Sequence, residues 1–283
     1  MAASARVSGA EPGQIAYCNG ERCFVPGGPS GSTKRPYPLL VTDPIFTHPR
    51  LAQIYDFLDG ERSDLDFYLG LVKEFEVNSV VDIGCGTGSL ASLLALEGVR
   101  VTAVDPAAAS LDVARTKPGA ERVTWVHGDA GALPDIQADL VTMTGNVAQV
   151  FVTDAQWDAT LRSARRVLRP RGRLVFETRD PGKKAWLNWN RDASHRHCDI
   201  DGVGLVELWV DLLDQQPGLV TFRWTFKFAS DDTTLTSDST LRFRSREEIE
   251  QSLFRAGLTL EEVRDAPDRP SLELMCIARR ESP

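Results

Sequence analysis

The chain has 283 residues, 42% of them hydrophobic and 25% charged, with a formal net charge of −8. That length can bury a sizeable core and suits one elaborated domain of ordinary soluble composition. The acidic total argues against a face that tracks nucleic-acid phosphates; no apolar run is long enough to span a bilayer, and no charged-then-apolar leader opens the chain.

Five cysteines, an odd number, do not read as a disulfide framework, and a cytoplasmic protein is expected. Residues 1–43 are rich in Gly, Ser, Pro and Ala, which predicts a disordered tail, with the folded domain over 44–283. Cys18 and Cys23 read as free thiols, because no second Cys/His pair at zinc-site spacing accompanies them. A short helix is expected over Leu51 to Leu58. Ser63 is a good N-cap for the next one, with Asp64 and Asp66 in its first turn and Leu65, Leu69, Val72 and Phe75 along one face.

Val80-Val-Asp-Ile-Gly-Cys-Gly-Thr-Gly-Ser-Leu-Ala91 reads as a buried strand, a glycine turn and a helix start. Gly84, Gly86 and Gly88 let the backbone turn tightly and lie against a ligand. Dinucleotide folds carry such a turn too, so the acids decide the reading. Asp82 stands before the first glycine, where a pyrophosphate would be repelled. Asp105 ends the second strand, Val99 to Asp105, and Asp129 ends the third, Val123 to Asp129. Gly88 and Asp105 are seventeen residues apart, room for one helix and one strand. Three carboxylates around one crevice suit a ligand with cationic groups, ribose hydroxyls and an amine-bearing base. An acid in the place of Asp105 accepts ribose hydroxyls in nucleotide folds.

The fourth strand, Ala138 to Thr144, runs into Gly145-Asn146. A helix over Asp154 to Leu168 follows, capped by Asp154; then a turn, Arg169 to Gly172, and the fifth strand, Arg173 to Thr178, with Arg179 at its carboxyl end. Arg179 has a plainer reading as a salt bridge to Glu177 or Asp180. Lys183 to Asp201 reads as a loop with a short helix, carrying His195, His197 and Cys198. Alternate histidines in a polar loop are more often solvated than metal-bound, and no metal is expected. Three β-rich runs follow, Val203 to Leu213, Leu219 to Ala229 and Thr233 to Arg244, separated by turn signals. They predict an antiparallel meander, a lid insert over about 180–244. Ser245 caps a helix ending before Gly257, and two antiparallel strands finish the sheet.

The Asp82-Ile-Gly-Cys-Gly-Thr-Gly88 loop with its spaced acids resembles the class I S-adenosylmethionine (SAM)-dependent methyltransferases, most tightly from Val80 to Thr178. The pattern is similar to that of the glycine N-methyltransferase-like small-molecule enzymes. The resemblance implies an α/β fold, a Rossmann-like doubly wound seven-stranded sheet with the β-meander lid inserted after strand five. It implies SAM as cofactor, contacted by Arg62, Asp82, Gly84, Gly86, Gly88, Asp105, Pro106, Asp129, Ala130 and Thr144. Arg62 would pair with the methionine carboxylate, since its fork makes two charge-assisted hydrogen bonds; the plainer reading is a surface Arg bridging Asp59 or Asp66, with Tyr55 as core. Pro106 would pack on the adenine, and Asp129 would accept from its amine near the Ala130 N–H. Tyr55, Asn146 and Arg179 would bind the substrate, with Asn146 and Tyr55 as catalytic candidates. The expected reaction is methyl transfer from SAM to a small polar metabolite at nitrogen or oxygen. RNA or protein methylation and non-catalytic SAM binding are the alternatives. Neither nucleic acid nor membrane is expected as a partner, and a homodimer is one assembly left open. Val147-Ala-Gln-Val-Phe151 lacks the histidine those enzymes carry nearby, which argues against glycine itself as the substrate.

Overall fold

The structure, a computed structural model, describes residues 15–18, 21–24, 42–58, 62 and 64–281, the first two segments by backbone alone. The chain divides into two units, Met1–Pro38 and Leu39–Pro283. In the first, β1 (Ile15–Cys18) and β2 (Glu21–Phe24) form an antiparallel hairpin. Most of the tail expected over 1–43, the side chains of Cys18 and Cys23, and the cap expected at Ser63 lie outside the described residues.

The second unit opens with α1 (Pro44–Thr47) and α2 (Pro49–Leu58), followed by α3 (Asp64–Glu74). A run of alternating elements comes next: β3 (Ser79–Ile83), α4 (Ser89–Leu96), β4 (Arg100–Asp105), α5 (Ala108–Ala114), β5 (Val123–His127), β6 (Ala138–Met143), α6 (Asp154–Val167) and β7 (Leu168–Arg179). All five residues of β3 are buried, as in a parallel strand covered on both faces. After α7 (Arg191–Ser194) come β8 (Arg196–Ile200), β9 (Gly204–Gln216), β10 (Leu219–Phe228) and β11 (Thr234–Arg242). The chain closes with α8 (Arg246–Arg255), β12 (Leu258–Asp265) and β13 (Glu273–Arg280).

The seven-stranded sheet has the order β12-β13-β7-β6-β3-β4-β5. Strands β7, β6, β3, β4 and β5 are parallel, and β13 and β12 join antiparallel. Strand order reverses between β3 and β6, so the glycine turn after β3 opens at the switch point where such sheets bind ligands. One face packs Trp157, Leu161 and Leu253 from α6 and α8. The other packs Tyr68, Leu71 and Leu94 from α3 and α4.

A separate antiparallel sheet runs β11-β10-β9-β8. It shares a core with the first two helices: Ile45, Leu51 and Ile54 meet Ile200, Val206, Leu208, Phe226 and Phe228. Each such side chain, fully buried, contributes roughly 1.5–3 kcal/mol relative to exposure, enough to dock α1 and α2 on the insert.

Three local expectations are corrected. The insert has four strands, because Arg196 to Ile200, expected in the loop, pairs with β9 as an edge strand. The cap of α6 is Thr153, whose hydroxyl accepts the Gln156 N–H while the Gln156 side chain accepts the Thr153 N–H. Arg169 to Gly172 is strand: β7 begins at Leu168, and a register shift against β6 and a positive φ of 66° at Arg171 absorb the irregularity.

Candidate active site

Each glycine of the turn after β3 has positive φ, but the three do different work. A Cβ on Gly84 would come within 2.7 Å of the Val147 methyls, and one on Gly88 within 2.5 Å of Trp125. Those two allow close packing. A Cβ on Gly86 would meet open space, and Gly86 lines a cavity of about 340 Å³.

Asp105, at the end of β4, holds this turn in place. Its Oδ2 accepts the Gly86 N–H at 2.8 Å and its Oδ1 the Ala107 N–H at 2.7 Å. Burial raises its pKa against those two bonds. Asp82 is 1% exposed and lies behind the cavity wall, as Gly88 does. Its Oδ1 accepts the Thr142 hydroxyl at 2.8 Å, while its Oδ2 finds no hydrogen-bond partner among the described residues. Burial pushes its pKa up to about 6.

The remaining expected cofactor residues converge on the same cavity. Pro106 follows Asp105 in the wall; Asp129, whose Oδ1 accepts the Gly131 N–H at 2.9 Å, and Ala130 come from the turn after β5. Thr144 enters from the end of β6. Arg62 also lines the cavity and makes a two-pronged pair with Asp64 at 2.8 and 2.7 Å. Helix α2 is tied to the glycine turn by Asp56, which accepts the Thr87 hydroxyl at 2.6 Å and pairs with Lys117 at 2.6 Å. That tie sets Tyr55, the preceding residue, against the cavity, packed on Phe46 at 5.5 Å between ring centroids.

A second cavity of about 250 Å³ adjoins the first, and Asp43, Phe46, Tyr55, Gly145 and Val150 line both. Its further walls include Asn146, Arg179 and Arg269, and Phe222, Trp224 and Phe226 from one face of β10. The three candidate substrate residues, Tyr55, Asn146 and Arg179, thus meet here. Phe226 is also core, and Phe222 packs on Trp189 at 4.6 Å.

Behind this wall lies a buried polar network. Glu177 accepts the N–H groups of Gly145 and Asn146 and the Tyr68 hydroxyl. Burial and the neighbouring Glu273 carboxylate push the Glu177 pKa up to about 7. Asn146, 3% exposed and in left-handed backbone at φ 62°, donates from Nδ2 to both Glu273 oxygens at 3.0 and 3.1 Å. Its Oδ1 is buried with no hydrogen-bond partner among the described residues. Arg179 pairs with Glu273 at 3.5 Å and donates to Gln149 at 3.0 Å, in place of the bridge to Glu177 or Asp180. Arg269 pairs with the same Glu273 oxygen at 2.8 Å.

Sequence reasoning missed Asp43, taken as the end of the tail, and Glu273, more than a hundred residues from its partner Asn146. An Asp before a proline signals a helix N-cap, which would have ended the tail one residue sooner. An acid inside the apolar strand Leu174-Val-Phe-Glu177 was the available signal for Glu177. The loop histidines gather elsewhere. His195, His197 and Glu207 bring ligand atoms within 4.8 Å of one another. Glu207 there also pairs with Arg191 at 3.3 Å, and Cys198 packs toward the core with Val206.

The family described as "Methyltransferase domain" matches residues 80–172. The cypemycin N-terminal methyltransferase of Streptomyces sp is 31% identical over 147 residues, 50% of this chain and 60% of that protein. The malonyl-[acyl-carrier protein] O-methyltransferase of Pseudescherichia vulneris is 31% identical over 153 residues, 53% of this chain and 59% of that protein. The chain thus spans about three fifths of the length of these curated relatives. Among solved structures, an S-adenosylmethionine-dependent methyltransferase from Clostridium acetobutylicum superposes with a TM-score of 0.67 at 18% identity, covering 83% of this chain and 99% of that one. At that identity the likeness is one of fold.

Proposed function

We propose that this chain, whose residues 80–172 match a methyltransferase domain, transfers a methyl group from SAM to a small polar metabolite. The observation that carries this reading is the pair of adjoining cavities with a common wall. The larger suits the donor. Gly86 leaves room for a ligand against the backbone, and Asp82 sets a buried carboxylate behind the wall, one oxygen of which has no hydrogen-bond partner among the described residues. Asp105 is fitted to accept ribose hydroxyls, Pro106 to face the adenine, and Asp129 with Ala130 to meet its amine edge. Arg62, whose fork is held by Asp64, sets a positive charge in the wall that favours a carboxylate, and Thr144 is fitted to a polar contact at the end of β6. When bound, SAM supplies a methyl already activated by its sulfonium.

The chain's own contribution is position and exclusion of water. Tyr55 and Gly145 sit where the two cavities meet, and the aromatic face of β10 closes the smaller one. Arg179, Arg196 and Arg269 outnumber the acids at that cavity, which suits an acceptor with an anionic or oxygen-rich far end. The curated relatives are named for an N-terminal and an O-methyl transfer, so the similarity alone leaves the acceptor atom open.

Titration calorimetry tests the reading. SAM should bind and NADH should not. Removing a buried hydrogen-bond partner costs roughly 1–3 kcal/mol, so Asp105→Ala should weaken SAM binding about tenfold or more. Unchanged affinity in that variant would remove Asp105 from the donor site, and NADH binding without SAM binding would overturn the function.

A further inference from the structure

We infer that His195, His197 and Glu207 form a binding site for a zinc ion on the outer face of the four-stranded sheet, where the ion clips the edge strand β8 to β9. The inference uses residues outside both cavities and does not depend on the methyl-transfer reading.

The backbone brings the three side chains together. His197 of β8 is the direct antiparallel partner of Glu207 in β9. Side chains of such a cross-strand pair lie side by side on one face. His195 stands two residues before His197 in extended backbone, at φ −62° and ψ 124°, so it returns to that face. The ligand atoms of all three lie within 4.8 Å of one another, the one such group among the described residues. The residues between and beyond turn to the other face: Arg196 lines the smaller cavity, and Cys198 packs on the core shared with α1 and α2. Read as a polar loop, the two histidines lack a third ligand; the pairing of β8 with β9 supplies it.

Two imidazoles and a carboxylate are a donor set that zinc takes, with water in the fourth position. Magnesium and calcium prefer all-oxygen sites. At zinc–ligand distances of about 2.0–2.2 Å, tetrahedral ligand atoms stand ~3.3 Å apart. His195 Nε2 and Glu207 Oε1 are hydrogen-bonded at 2.8 Å. They have to part by only about half an ångström as the ion replaces the proton between them. The two imidazole rings lie 5.1 Å apart at 90° rather than stacked, which leaves their nitrogen edges able to turn to a common point. The side chains of His195 and Glu207 are 33% and 26% exposed, so an ion can enter and water can complete its shell. The His195 hydrogen bond holds the Glu207 carboxyl below its usual range, which keeps it ionised at neutral pH.

Two cations stand near and would oppose the ion. Arg191 reaches Glu207 Oε1 at 3.3 Å, and Lys227 is the partner of Glu207 on β10. Each has other company: the Arg191 guanidinium lies 4.1 Å over the Trp209 ring, and Lys227 pairs with Asp232 at 3.4 Å. The contacts of His195 and Arg191 both use Oε1 of Glu207, and Oε2 enters neither. Strand β8 is where a clip has most effect. It is hydrogen-bonded on one side only, and Ile200 alone of its five residues is fully buried. Because its inner face carries Arg196, the ion would brace one wall of the smaller cavity from outside.

The test uses the full chain without a histidine tag, freed of metal by dialysis against a chelator, at about pH 7.5, where a free imidazole is mostly neutral. Zinc chloride, titrated calorimetrically, should bind in the micromolar range or tighter, and magnesium chloride should not bind. His197→Ala and Glu207→Gln should each weaken the zinc binding at least tenfold. Both side chains lie at the surface, so the two variants should melt with the wild-type chain when zinc is absent, which separates loss of the site from loss of the fold. Zinc should slow amide hydrogen exchange over residues 196–200 at least threefold in the wild-type chain and leave it unchanged in His197→Ala. A wild-type chain that binds no zinc in this range overturns the inference. So does zinc binding undiminished in His197→Ala, which would place the ion elsewhere. Equal exchange with and without bound zinc overturns the clip.

Discussion

Arg179 shows how a residue's place can be legible while its partners are not. Its position at the carboxyl end of a parallel strand follows from the strand pattern, and it does line the smaller cavity. Its partners Glu273 and Gln149 come from segments that no local pattern links to it. Burial lowers its pKa, opposed first by Glu273 and then by Glu177, so it is a half-buried charge retained beside carboxylates. If the far end of the acceptor carries an anion, Arg179→Ala should raise the acceptor's KM about tenfold or more and leave SAM affinity intact. Arg179→Lys should recover only part, because the planar fork is lost. Steady-state kinetics with the identified acceptor decides the matter, and an unchanged KM would remove the anion from the proposal. The glycine turn and its acids were legible for the opposite reason. Their places in the fold are set by neighbours within a few residues and by strand ends, both of which leave a mark in sequence.

At the scale of elements, parallel strands were the easiest to read, because strands buried on both faces are written as apolar runs. Val80 to Ile83 and Leu174 to Phe176 are such runs, and all seven of these residues are buried. Strand β8 escaped because it is an edge: of Arg196 to Ile200, only Ile200 is fully buried, and the polar residues mask the alternation. Helix α8 began where Ser245 predicted, since its hydroxyl accepts the Glu248 N–H while Glu248 returns a bond to the Ser245 N–H. Helix α6 was misread by one residue because Thr153 and Asp154 are both good caps. Only the Gln156 side chain, reaching back to Thr153, separates them. Losing a cap costs about 1 kcal/mol. Ser245→Ala should therefore lower the Tm by about 2–4 °C for a domain of this size, measured by thermal denaturation. No change would mean that α8 is held by its packing alone.

For the molecule as a whole, the net charge of −8 matters less than where the acids lie. Asp82 and Glu177 sit under the two cavities with pKa values pushed up to about 6 and about 7, chiefly by burial. In the unfolded chain both ionise near about 4. Between about pH 4 and pH 7 the folded state therefore holds protons that the unfolded state has released, and stability falls as pH rises. Below that window both states are protonated and the difference vanishes. Glu74 and Asp238, held below the usual range by Arg264 and Arg223, act in the opposite sense but only at more acid pH. The ligand-free protein should thus be most stable in mildly acid solution, and its Tm should decline by several degrees between pH 5 and pH 8. Each raised acid contributes on the order of 2 kcal/mol to that decline, as about two pKa units imply. Asp82→Asn keeps the oxygen that accepts from Thr142 and removes the charge, so it should flatten the profile; Glu177→Gln should do the same. Calorimetric melts of the three proteins at constant ionic strength test this, and a Tm that rises from pH 5 to pH 8 would show that the two carboxylates are not held protonated in the fold. A cationic donor in the larger cavity, whose wall Asp82 backs, should favour the ionised form of Asp82 and flatten the wild-type profile in the same way, which links the stability of the fold to the chemistry of that cavity.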